Sequence, residues 1–272
     1  MDNFVDERDF QLLQEDKHTF LVLRQIIEGC CQFLQSDHKK MIICYSCNPY
    51  PIWIWTSKDI SNDDMEHIYK LLLQQSFLNG KHSFNVKYEL ADFLINRAKQ
   101  DNITLRLKKN MFAYECSNPI EPSVIADGKL HSCSTEEGKK NYTQQDYEDF
   151  CFLMESFHRE LQIDLKSHEE FVKDAENCLK TTNVFLWKND KKENVACCRV
   201  IPTENMALVG LVYTLPDFRR KHYAENMVYQ VTQIVKEKGL VPTLYTDADY
   251  AASNACYEKI GYVLRGKLCT IF

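Results

Sequence analysis

The sequence has no uninterrupted apolar run of the roughly 18 residues that a membrane-spanning helix needs, so no bilayer crossing is expected. Its opening segment, MDNFVDERDF, is acidic and lacks the basic-then-apolar order of a secretion signal. Positive charge is not in excess. The formal net charge is −6, so the broad basic surface of a general nucleic-acid binder is not supplied. Low-complexity tracts and short-period repeats are missing as well, which leaves ordinary globular domains.

What is present is 272 residues, 44% apolar and 26% charged, enough for one large domain or two ordinary ones. The 12 cysteines are scattered, and some lie in apolar runs (Cys30-Cys31, Cys197-Cys198). Adjacent cysteines make poor disulfide partners, so the set reads as the reduced, mostly buried thiols of a cytoplasmic protein. Cys44-Tyr45-Ser46-Cys47 has the spacing of half a zinc site, but two further ligands at short spacing are missing. The pair closes an apolar, strand-like run (MIICYSC), and buried thiols are expected there rather than a metal.

Periodicity organises the chain. The first part reads as helical over 9–36, then strand, turn and strand over 40–56. Ser61-Asn62-Asp63-Asp64 supplies N-cap chemistry for a helix near 63–78 that stops at Gly80. A helix over 86–99 and two strands, ITLRLKK and MFAYEC, follow. The polar stretch near 126–147, with Gly128, Gly138, Lys139 and Lys140, marks a domain junction, giving domains 1–125 and 126–272. Within that stretch, KLHSCST alternates well enough to be a first strand of the second domain. The second part predicts helices over 144–160 and 167–180, then strands over 183–188, 195–201 and 206–214. Helix 222–238, strand 242–246, helix 251–260 and strand 262–271 complete it. Strands alternating with helices after an antiparallel start imply an α/β or α+β sheet domain, not a helical bundle.

The segment ALVGLVYTLPDFRRKHYAENMVYQVTQIVKEKG carries the first chemical signal. An apolar strand runs into Pro216, then a loop with Arg219, Arg220, Lys221 and His222, then a helix with Ala224, Met227, Val228, Val231, Ile234 and Val235 on one face. A strand feeding a loop that opens a helix presents unpaired N–H groups and the positive dipole end together, and the cations add charge suited to a pyrophosphate. A second segment, LYTDADYAASNACYEKIGYVL, reads as strand, Asp-rich turn and short helix with a glycine stop at Gly261; Asn254 and Tyr257 share one helical face.

Together these segments resemble the GNAT superfamily of N-acetyltransferases. Its pattern is a strand ending V-Y-T-x-P, a loop R-G-x-G-x-A, and later N-P-x-S-N-x-x-Y-x-K-I-G-Y/F. Here Val212-Tyr213-Thr214-Leu215-Pro216, Arg219-Arg220-Lys221-His222-Tyr223-Ala224 and Ser253 to Tyr262 correspond. Both glycines of the loop are replaced, by Arg220 and His222, and Tyr250-Ala251 stands where Asn-Pro usually opens the last helix, leaving Asp249 as its candidate N-cap. The first 125 residues resemble the degenerate leading half of two-domain GNAT-like proteins.

The resemblance implies a GNAT fold in the C-terminal domain, with a mixed central sheet flanked by helices, preceded by a smaller degenerate GNAT-like α/β domain. It implies acetyl-CoA as acyl donor and no metal. Leu211, Val212 and Tyr213 would pair with the pantetheine arm, with Gly210 suited to a bulge; N–H groups of Arg219, Arg220, Lys221, His222, Tyr223 and Ala224 would hold the pyrophosphate; Asn254 would hydrogen-bond the cofactor. Tyr257 would protonate the departing thiolate, since a phenol and a thiol of ordinary pKa about 10 and 8.5 can exchange a proton. Glu204, His222 and Asp247 are conceivable general bases, and none is assigned. The expected activity is acetyl transfer to a primary amine of a small molecule, amino acid or peptide by a monomer or homodimer, without nucleic acid or membrane. A non-catalytic acyl-CoA-binding or regulatory module is the competing reading, and acyl chain length is open.

Overall fold

Four helix starts in this chain are written as capping boxes. Asp6, Ser61, Thr143 and Ser167 each accept a backbone N–H of the first turn, while Asp9, Asp64, Asp146 and Glu170 reach back to the cap's own N–H. The computed structural model describes all residues except Ser134, Glu137, Gly138 and Thr182, and only the backbone of Thr135 and Glu136. Gly138 of the expected junction and Ser134 of KLHSCST therefore lie outside the described residues.

The first series of elements is α1 (Glu7–Leu13), α2 (Leu21–Glu28), β1 (Phe33–Ser36), β2 (Met41–Tyr45), β3 (Ile52–Thr56), α3 (Asn62–Gln74), β4 (Phe84–Val86), α4 (Tyr88–Gln100) and β5 (Leu107–Glu115). Then come β6 (Lys129–Cys133), the short pair β7 (Thr135–Glu136) and β8 (Lys139–Lys140), α5 (Gln144–Leu161) and α6 (His168–Lys180). The chain ends with β9 (Val184–Lys188), β10 (Asn194–Pro202), β11 (Met206–Thr214), α7 (Tyr223–Glu237), β12 (Val241–Asp247), α8 (Ala251–Lys259) and β13 (Val263–Ile271).

Two compact units result, and they are not consecutive stretches of chain. One comprises Met1–Ala113, Tyr245–Tyr250 and Leu264–Phe272, the other Tyr114–Leu244 and Ala251–Val263. In the first, the strand order is β1-β2-β3-β4-β13-β5, with β3 parallel to β4 and the other registered neighbours antiparallel. Met65, Ile68 and Leu72 of α3 and Leu90 and Leu94 of α4 bury against Ile43, Ile54 and Phe84 of this sheet. In the second, the order is β6-β9-β10-β11-β12, antiparallel up to β11 and parallel between β11 and β12. Alternation splits this sheet's faces: Val184, Leu186 and Cys197 pack under α5 and α6 with Phe150, Leu153 and Phe171, while Trp187 turns to the α7 side, 6.5 Å from the Tyr223 ring. The mixed sheets flanked by helices match the expected fold class.

Two local expectations are corrected. Residues 9–36 are not one helical stretch, because β1 pairs with β2 as a hairpin, and the Asp37 carboxylate accepts the N–H groups of Lys39, Lys40 and Met41 in its turn. ITLRLKK and MFAYEC are not two strands, since Leu107–Glu115 runs as one. Eight of the twelve cysteines are buried and all are free thiols, Cys44 buried and Cys47 partly so.

The two series repeat each other. Two helices, three strands, helix, strand, helix, strand describes both α1 to β5 and α5, α6 and β9 to β13. In each, the second and third strands are antiparallel and the third and fourth parallel.

Candidate active site

Strand β11 carries the first part of the site. Its register against β10 passes from Arg199↔Gly210 to Cys197↔Tyr213, so β11 advances three residues while β10 advances two. This is a β-bulge. The left-handed residue in it is Leu211, at φ 53°, rather than the neighbouring Gly210. The parallel register with β12 ends at Leu208↔Thr243, although β11 continues to Thr214. The edge that carries Leu211, Val212 and Tyr213 thus extends past the last β12 partner among the described residues.

The chain then makes one 3₁₀ turn, Pro216–Phe218, before the loop. The N–H groups of Phe218 and Arg219 bond back to the carbonyls of Leu215 (2.9 Å) and Pro216 (3.3 Å). From Arg220 to Glu225, no backbone N–H has an acceptor among the described residues; the first helical bond runs from Asn226 N–H to His222 O, 3.0 Å. Arg220 (φ 60°) and His222 (φ 62°) are both left-handed. These are the two glycine positions of the family pattern, so the backbone turn is kept without glycine. Each left-handed L-residue costs on the order of 1 kcal/mol. Successive N–H groups across such residues form an anion-binding concavity, and the N-terminus of α7 adds its dipole. No side chain caps this helix.

The side chains divide. Arg219 is turned back: its guanidinium donates to Glu160 Oε2 (2.6 Å) and Thr214 O (3.0 Å) and lies 5.5 Å from the Tyr213 ring centre. Tyr213 donates to the same Glu160 oxygen (2.9 Å). That pairing holds the Glu160 carboxyl below its ordinary range, while burial pushes Tyr213 up to about 12. Arg220 and Lys221 are exposed and make no ion pair among the described residues. His222 Nδ1 lies 3.0 Å from Glu225 Oε2. Tyr223 is buried and donates its hydroxyl to Asp127, with burial raising its phenol to about 12 and the hydrogen bond lowering Asp127. Ala224 is half-buried in the first turn of α7.

Helix α8 supplies the other part. Asn254 and Tyr257 are buried one turn apart, as their spacing predicts. Tyr262 spends its hydroxyl on Thr232 Oγ1 (2.8 Å), and its ring lies 6.0 Å from that of Tyr257. The Tyr257 hydroxyl has no hydrogen-bond partner among the described residues. Burial pushes its phenol well up, with the Cys256 and Cys198 thiols adding to the shift. Helix α8 packs on α7, and Glu225, in the first turn of α7, adds to the upward push that burial gives Cys256. The Asp249 carboxylate accepts from Asn110 Nδ2 (2.9 Å).

No sequence signal marks Glu160 or Asp127, which lie 59 and 96 residues from their loop partners. Of the conceivable bases, Glu204 is exposed in the turn before β11, at the opposite end of that strand from the loop. His222 is paired with Glu225, and Asp247 accepts the Asp249 N–H (3.0 Å).

Residues 144–262 match the acetyltransferase (GNAT) family, a span that contains β11, the loop, α7 and α8. No curated protein matches the sequence. Among solved structures, a Drosophila protein is similar with a TM-score of 0.68 at 12% identity, covering 99% of this chain and 97% of that one. A GCN5-related N-acetyltransferase from Sphaerobacter thermophilus is similar with a TM-score of 0.61 at 11% identity, covering 97% and 90%. A tandem GNAT protein of the clavulanic acid biosynthesis pathway is similar with a TM-score of 0.51 at 10% identity, covering 85% and 77%. At these identities the structures speak for the fold, and the family match speaks for its kind: residues 144–262 form an acetyltransferase domain of the GNAT family.

Proposed function

We propose that this protein transfers an acetyl group from acetyl-CoA to a primary amine of a small molecule, amino acid or peptide. The observation that carries the reading is the run of open N–H groups from Arg220 to Glu225, kept in a left-handed turn where the usual glycines are gone. In this reading those groups and the exposed Arg220 and Lys221 side chains hold the diphosphate, Leu211, Val212 and Tyr213 offer the bulged strand edge to the pantetheine arm, and Asn254 adds a polar contact. Arg219 contributes through Glu160 and Thr214 rather than by charge on the ligand. When bound, acetyl-CoA supplies the activated acetyl thioester. Tyr257 Oη would be the proton donor: burial keeps the phenol protonated, and the proton would pass to the departing sulfur, whose basicity the same burial would raise.

The first series of elements supports reading residues 1–125 as a former second copy that no longer binds cofactor. At the equivalent helix, α3, Ser61 and Asp64 cap the N–H groups themselves, and Asp63 and Asp64 put negative charge in the first turn. A phosphate has no place there.

Calorimetry with acetyl-CoA, followed by release of free thiol over a panel of amines, tests the proposal. Binding with turnover supports it. Binding without turnover favours the acyl-CoA-binding or regulatory module, a reading that the two lost glycines encourage. A folded protein that does not bind acetyl-CoA would remove both. We further propose a cytoplasmic protein, monomeric or homodimeric, that uses no metal.

A further inference from the structure

Without glycine, the loop after β11 keeps its shape through its neighbours. On the strand side, Glu160 Oε2 accepts from Arg219 (2.6 Å) and from Tyr213 (2.9 Å), so one carboxylate of α5 ties the start of the loop to the end of β11. On the helix side, Tyr223 donates to Asp127 Oδ1. Asp127 is itself held, its carbonyl accepting from Trp187 Nε1 (2.8 Å) and its Oδ2 from the Asp190 N–H (3.4 Å). Asn226 adds a tie from α7 to the carbonyl of Val124 (2.9 Å). Between the two anchors lie only Arg220, Lys221 and His222, which include both left-handed residues. A strained backbone persists only where its surroundings over-determine it.

We infer that Glu160 and Asp127 are positioning residues of the anion-binding loop, clamping Arg219 and Tyr223 so that Arg220 and His222 stay in the turn that glycines would otherwise permit. The inference rests on the reading of this loop as the coenzyme A phosphate site. Charge argues the other way and so separates the explanations. Carboxylates near a diphosphate oppose it, and Lys221 is within electrostatic reach of Asp127. Neutralising either acid would tighten binding if charge alone mattered. The clamp requires the opposite sign.

The test compares Tyr223→Phe and Glu160→Gln in two backgrounds, the native loop and the Arg220→Gly/His222→Gly loop, with coenzyme A binding read by calorimetry and folding by thermal melting. In the native loop each substitution is expected to weaken binding on the order of tenfold, the scale of one charge-assisted hydrogen bond. In the glycine loop the loss is expected to shrink to about threefold or less, because the turn no longer depends on its anchors. Equal losses in both loops, no loss, or tighter binding overturns the clamp. Glu160 is exposed, so Glu160→Gln keeps the comparison open should Tyr223→Phe lower stability. Wild-type protein that melts cooperatively yet does not bind coenzyme A overturns the site reading itself, a result distinct from failure of the clamp.

Discussion

Arg220 and His222 stand two residues apart in one loop, and both hold left-handed backbone, at φ 60° and 62°. An L-residue there crowds its Cβ against the following carbonyl, and glycine would not. Arg220→Gly is therefore expected to stabilise the fold by about 0.5–1 kcal/mol, the relief of strain less the added freedom of the unfolded chain. Urea unfolding measures it. A loss of stability would contradict the left-handed assignment at this residue, since its side chain makes no ion pair among the described residues that the change could break.

Tyr257 tests the proposed chemistry. Tyr257→Phe keeps the buried ring and its contact with Tyr262 but removes the proton, so turnover should fall by about tenfold to a hundredfold while acetyl-CoA binding stays within about twofold. Burial raises the phenol above its ordinary value of about 10, so the hydroxyl stays protonated over the working range. The rate should accordingly show no alkaline loss below about pH 10 that Tyr257→Phe abolishes. Unchanged turnover in that variant would take the residue out of the mechanism.

Gly261 shows how far a motif can be decoded once its surroundings are known. In S-N-x-x-Y-x-K-I-G-Y, Asn254, Tyr257, Ile260 and Tyr262 are all buried, which is helical spacing followed by a turn back into the core. Gly261 sits at φ 96°, and a Cβ there would come within 2.5 Å of Asn118 O. Gly261→Ala should cost about 2 kcal/mol or more, since backbone rather than a flexible side chain is in the way. A melting temperature within about 1 °C of wild type would show that the 117–120 segment can move aside.

Much of the second unit was legible from local pattern. β11 lies where its apolar run predicts, and α5, α6, α7 and α8 begin and end within two residues of their periodic stretches. Their caps, stripes and stops are local signals. What was not legible depends on partners distant in sequence. β1 is a strand because β2 pairs with it, overriding a helix-compatible pattern. Arg219 resembles a phosphate ligand in sequence but is claimed by Glu160, and no spacing rule connects the two. The bulge was anticipated at Gly210, the residue with conformational freedom, yet register with β10 puts the left-handed turn on Leu211. Propensity marks where strain is cheapest, and tertiary pairing decides where it falls.

The N-terminal segment offers a pH test independent of catalysis. His38, in the turn between β1 and β2, places Nδ1 2.6 Å from Asp9 Oδ2 and Nε2 3.1 Å from Asp2 Oδ2, with Asp6 at 3.9 Å. Ser36 Oγ donates to the other Asp9 oxygen (2.5 Å), the Phe4 ring lies tilted at 5.1 Å, and the Arg8 cation acts against the imidazolium. The bond to Asp9 raises the His38 pKa despite desolvation, while Arg8 holds Asp6 down at about 2 so that it stays ionised. A folded-state pKa above the ordinary value of about 6.5 contributes stability that is complete below that value and is lost as pH rises through the folded pKa. Unfolding free energy should therefore decline on the alkaline side of about pH 6.5, and His38→Gln should both lower stability at about pH 6 and flatten that decline. If the variant keeps the wild-type slope, another group drives it, and the pairing of His38 with Asp9 contributes nothing that titrates.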